Sequence, residues 1–134
     1  LVASSDDKQR LFRKDFTAKT AAEFDDVWFN QRHVPRGSRK GDKSRADRLA
    51  HGAAWTVKAF EGGATGQGVA ALVLAGPTVF AAGRTGGLRA LAVADGRRLA
   101  ERDLPPPVWD GMAAARGALY VSTADGRVLC LGPK

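Results

Sequence analysis

Several residue types that commonly carry chemistry are scarce in this chain. Its 134 residues include one cysteine, one methionine and one tyrosine. A single cysteine excludes an internal disulfide framework and any zinc site built on paired cysteines. The two histidines, His33 and His51, are far apart in sequence and have no acidic or cysteine partner at metal-ligand spacing. No apolar run approaches the ~18 residues of a membrane-spanning helix. Aromatics make up only 7% of the chain, so much of its 44% hydrophobic content is alanine. That fraction is still close to the globular norm and sufficient for a packed core.

Basic charge and glycine are plentiful. The net charge is +7, and it is unevenly spread. Residues 1–60 hold 13 Lys/Arg against 8 Asp/Glu, and residues 61–134 hold 8 against 6. The run 36–48 (RGSRKGDKSRADR) contains Arg36, Arg39, Lys40 and Lys43 and no aromatic residue. Such a cluster attracts phosphates or anionic surfaces. Without stacking platforms it argues against single-stranded nucleic acid as its partner. A solvated loop is the expected form of 31–47. Thr17 is placed to cap a short helix over 17–30, where Phe24, Val27, Trp28 and Phe29 cluster. The chain opens at Leu1, and its one methionine is Met112. A processed chain, or a piece of a longer one, is therefore expected. Residues 1–15 are rich in charge where a secretory leader would be apolar, so the compartment is unknown from this sequence.

Residues 61–134 have a different texture. Short apolar runs at 69–74, 78–82, 88–93, 109–115, 118–123 and 128–131 are separated by glycine, proline or Asp-Gly. A more polar run covers 97–103. Runs this short and this regularly punctuated predict antiparallel strands. Asp95-Gly96 and Asp125-Gly126 tolerate the positive φ of tight reversals. In 54–60 (AWTVKAF) Trp55, Val57 and Ala59 share one face by period-2 spacing. The expected division is a polar basic segment, 1–60, irregular or partly helical, followed by an all-β unit, 61–134.

The second part also matches itself at a shift of 40. Residues 69–91 lie over 109–131 without a gap, with identities Ala75/Ala115, Gly86/Gly126 and Leu91/Leu131. Phe80 falls on Tyr120 and Leu88 on Val128. A period near 40–50 residues with several strands per unit is the signature of β-propeller blades. Residues 88–105 (LRALAVADGRRLAERDLP) and 106–132 (PPVWDGMAAARGALYVSTADGRVLCLG) resemble the repeats of the PQQ-type, quinoprotein-like β-propeller family. Ala90, Leu91, Gly96 and Leu99 match that repeat, and the resemblance covers about 55–132. Ala92 stands where the repeat has Asp, and Ala100 where it has a docking Trp.

The resemblance implies about two antiparallel blades of a partial propeller, since closure takes about 4–8. It further implies the C-terminal part of a larger bacterial protein in a periplasmic or envelope setting, with the remaining blades as partner. The expected role is a non-enzymatic scaffold or interaction module that holds a protein or polymer through rim loops. Arg36, Arg39, Lys40, Lys43, Arg84 and Trp109 are its candidate contact residues. An alternative is part of a quinone-dependent dehydrogenase whose active site lies in blades absent here. A third option is anionic-surface or nucleic-acid binding through the basic part.

No catalytic, cofactor or metal residue stands out. The glycine-rich segment 62–68 lacks the Gly-Lys-Ser/Thr ending of a phosphate loop. Cys130, in VLCLG, reads as a buried small hydrophobe. Trp28, Trp55 and Trp109 read as core or inter-blade packing. On the same reading, a charge at Tyr120 is expected to unfold the β part.

Overall fold

The computed structural model describes residues 2–4, 10–15, 52–60 and 68–132. They form ten strands in three antiparallel sheets and no helix. Strands β1 (Val2–Ser4), β2 (Arg10–Arg13) and β3 (Trp55–Lys58) make the first sheet, in that order. The middle sheet is a four-stranded meander: β4 (Val69–Ala75), β5 (Thr78–Gly83), β6 (Leu88–Ala92) and β7 (Arg98–Arg102). The last sheet repeats the meander with three strands, β8 (Pro107–Ala115), β9 (Ala118–Thr123) and β10 (Val128–Leu131). Each strand of the second part falls on a run that its turn residues delimit.

Within 1–60, residues 2–4, 10–13 and 55–58 are strands and the other described residues are turns or irregular. The reason is pairing: Arg13 lies opposite Trp55 and Arg10 opposite Lys58, so two segments distant in sequence satisfy each other's backbone groups. The expected helix at 17–30, the basic run 36–48, both histidines and Trp28 lie outside the described residues.

Strands β4 to β6 of the middle sheet are covered on both faces, which accounts for their largely apolar runs, whereas the edge strand β7 is exposed along its length. On β5, Val79 and Ala81 join Leu11, Trp55, Ala59 and Leu91 in a core against the first sheet. Ala82 on the opposite face joins Ala71, Leu88, Leu119 and Val121 against the last sheet. The two parts of the chain therefore share a core. The middle and last sheets meet most closely along β4 and β8.

Polar groups tie the first sheet to the middle one. Trp55 Nε1 donates to the Val93 carbonyl at 2.7 Å, and Arg13 Nη1 donates to the same oxygen at 3.3 Å. The turn between β6 and β7 is thus gripped from the first sheet. On the same side Arg89 is nearly buried, its side chain 12% exposed. Its guanidinium stacks on Phe60 at 4.9 Å and donates to the Ala59 carbonyl at 2.7 Å. It also pairs with Glu101 at 2.9 Å, and Glu101 takes Arg98 at the same distance. A buried charge is tolerable when paired and hydrogen-bonded in this way.

The two repeats are not in register throughout. From Leu72 opposite Ala81 and Met112 opposite Val121 the shift is 40, as the sequence indicates. Upstream, Val69 faces Gly83 while Pro107 faces Thr123, so the shift along β8 is 38. Residues 108–111 occupy the place of 70–71, and the two extra residues form a bulge at which Asp110 has φ +55°. An ungapped alignment cannot see this, because a bulge keeps the chain extended on both sides.

The hairpin between β8 and β9 has positive φ at both central residues, Arg116 (+51°) and Gly117 (+75°). That is the type I′ pattern, which favours Asn-Gly. Arginine in this conformation carries strain of about 1–2 kcal/mol. Arg116→Asn is expected to raise stability by about 0.5–1 kcal/mol, read as a higher melting temperature.

Candidate interaction surface

One end of the stacked sheets is built from three loops held together by backbone bonds. Arg84 N donates to the Gly68 carbonyl at 2.8 Å, Gly87 N to Leu104 at 3.0 Å and Ala124 N to Pro106 at 2.8 Å. The β5–β6 turn, the proline-bearing β7–β8 connection and the β9–β10 turn therefore form one continuous rim. Of the candidate contact residues, Arg84 lies on this rim and Trp109 near the start of β8, next to it in the chain. Arg84 is exposed at the tip of its turn, and Trp109 is 64% exposed at the bulge of β8. Arg36, Arg39, Lys40 and Lys43 lie outside the described residues.

Trp109 is thus not part of a core among the described residues. The two extra residues of the bulge interrupt the alternation that would have turned its ring toward the core. Trp55, by contrast, is buried as its spacing predicts. Cys130 is exposed, not buried. On β10 the half-buried residues Leu129 and Leu131 pack on the core between the middle and last sheets, and Cys130 points the other way.

That other face was not legible as a surface. Tyr120 lies between Ala113 and Cys130 across β8, β9 and β10. Tyr120 is 37% exposed and Val128 68% exposed. The apolar pairs Phe80/Tyr120 and Leu88/Val128 were visible in the repeat. Phe80 and Leu88, however, are covered by the last sheet, whereas no described residue covers Tyr120 and Val128.

The β9–β10 turn is stiffened by a local network. The Thr123 hydroxyl, itself buried, donates to Asp125 Oδ1 at 2.5 Å, and Arg127 Nε donates to Asp125 Oδ2 at 2.9 Å. These bonds, Arg127 first and Thr123 second, lower the Asp125 pKa from 3.8 to about 2. A carboxyl whose pKa falls on folding stabilises the fold above its ordinary pKa and loses that effect as pH drops through the folded value. The melting temperature is therefore expected to fall as pH is lowered from about 4 to about 2, and to fall less in Asp125→Asn. The group is exposed, so salt weakens the effect.

Compared with known proteins, the chain matches no family model and no curated protein. Among the described residues no three His, Cys, Asp or Glu side chains come together. Asp110, the one acid of the repeat body outside turns and polar strands, is exposed on the bulge.

Proposed function

We propose that the chain is a non-enzymatic interaction module of β-propeller type, which presents one loop rim to a protein partner. A single observation carries this reading. Two successive meanders of one 40-residue period stack face to face, and their loops converge on a hydrogen-bonded rim that displays Arg84, with Trp109 next to it in the chain. Exposed tryptophan and arginine are the side chains most enriched at binding hot spots. The rim is also rigid, so little ordering entropy is lost on binding. The remaining blades of a larger propeller, in an envelope setting, belong to the same proposal.

Site-specific photo-crosslinking tests it. A benzophenone amino acid at position 84 or 109 is expected to give one discrete adduct, and the same group at Leu99, exposed on β7 away from the rim, is expected to give none. The purified partner should then bind Trp109→Ser at least tenfold more weakly. Adducts of equal yield at all three positions, or no adduct at the rim, would overturn the reading. The dehydrogenase alternative places its active site in blades absent here, so it predicts saturable heat when pyrroloquinoline quinone and calcium are titrated into the full-length protein, and that result would displace the scaffold.

A further inference from the structure

The middle sheet is four strands wide and the last sheet three. Among the described residues no strand lies opposite β7, and a cleft of about 540 Å³ opens there between the two sheets. Its walls are Phe80, Leu88, Leu119 and Leu131, and its floor is widened by the small side chains of Ala90 and Ala100. The volume falls within the ~300–1,000 Å³ typical of small-molecule sites, which are likewise apolar with a few polar groups fixing orientation.

Three charged residues line this cleft: Glu101, Arg102 and Arg116. Glu101 is already engaged by Arg89 and Arg98. Arg102 sits opposite Leu88 on β7 and so belongs to the face that bears the cleft. Arg116 projects from the strained β8–β9 hairpin at its other side. Neither Arg102 nor Arg116 has a hydrogen-bond or ion-pair partner among the described residues. An apolar groove flanked by two unneutralised guanidinium groups is complementary to a molecule with an apolar body and an anionic head. Guanidinium also matches the planar geometry of a carboxylate.

We infer that the cleft between β7 and the last sheet is a binding site for a small single-tailed carboxylate. The tail lies between Leu88 and Leu131 beside Ala100, Arg102 holds the head, and Arg116 adds positive potential from the other side of the cleft. Burial of the tail supplies most of the affinity, and the arginines supply selection for the anion. This site lies between the sheets rather than on the loops of the rim and does not depend on the scaffold reading.

Calorimetric titration of the full chain with octanoate tests the proposal, with octylammonium and octan-1-ol as matched probes. Octanoate is expected to saturate one site. Octylammonium should give no saturable heat, and octan-1-ol should bind more weakly. Arg102→Gln and Arg116→Gln are both exposed changes, and each should weaken octanoate about threefold, the scale of a single solvent-facing ion pair. Ala100→Trp should fill the cleft and abolish binding without lowering the melting temperature. If that variant does not fold, Ala100→Leu gives the same reading at smaller volume. Octanoate without saturable heat, octylammonium binding as well as octanoate, or undiminished binding to the folded position-100 variant would each overturn the assignment.

Discussion

Val121→Asp is expected to leave the chain unfolded at room temperature, whereas Tyr120→Asp should shift its melting temperature by no more than a few degrees. The two residues are neighbours on β9 and face opposite ways. Val121 is fully buried in the core between the middle and last sheets, beside Leu119, Leu88 and Ala82. A carboxyl placed there has no cation and no donor built to receive it. Ionised or protonated, it costs several kcal/mol, and the lost valine packing adds about 1–3 more. A domain of this size is stable by only about 5–15 kcal/mol. Tyr120 sits on the outer face, where a carboxylate stays hydrated and substitutions usually cost within about 1 kcal/mol. Circular dichroism of the two variants across a thermal scan decides the matter. Equal damage would mean that the outer face of the last sheet is also a core.

Gly86→Val and Gly126→Val should differ by several kcal/mol, although the two positions are equivalent in the repeat. Both glycines close the same turn, donating to the carbonyls of Gly83 and Thr123 at 3.0 Å. Both have positive φ, +107° and +84°. A side chain at position 126 meets only open space, so its cost is the backbone strain of about 1–2 kcal/mol. At position 86 a Cβ would overlap the Leu104 carbonyl oxygen. That oxygen already accepts from Gly87 N and belongs to the β7–β8 connection, so it cannot retreat cheaply. Strain and overlap together are expected to cost about 3–5 kcal/mol. Denaturant midpoints for the two variants measure the difference. Equal values would show that the β5–β6 turn is not seated on that connection.

These pairs also show which features were legible in the sequence. Strands β4 to β10 were readable because alternation and turn chemistry are local, and a glycine or proline ends a strand whatever lies around it. The sidedness of Tyr120 and Cys130 was not. Alternation gives two faces to every strand but does not say which face another sheet will cover. The middle sheet is covered twice and the last sheet, among the described residues, once. The exposure of Trp109 was hidden for a similar reason, because a bulge leaves no mark on an ungapped repeat. Arg89 was unreadable as a core residue, since its burial depends on Phe60, Ala59 and Glu101 meeting in space. Of the candidate contacts, Arg84 followed from its turn, and the backbone bonds that tie this turn to the strand ends beside it required the fold.

The pairing of Arg13 with Trp55 sets an order of assembly. The middle and last sheets grow from hairpins whose partners are near neighbours in the chain, so each closes at small entropic cost. The first sheet joins only after Arg13 and Trp55, distant in sequence, have been brought together, and the entropic cost of that closure grows with the separation. Sequence-local contacts form first and distant ones are rewarded late. The meanders are thus the template on which β2 and β3 meet. Because Trp55 and Arg13 grip the β6–β7 turn, the same contacts that finish folding are the first available to open. The two meanders make their ladder hydrogen bonds among themselves, independently of the first sheet.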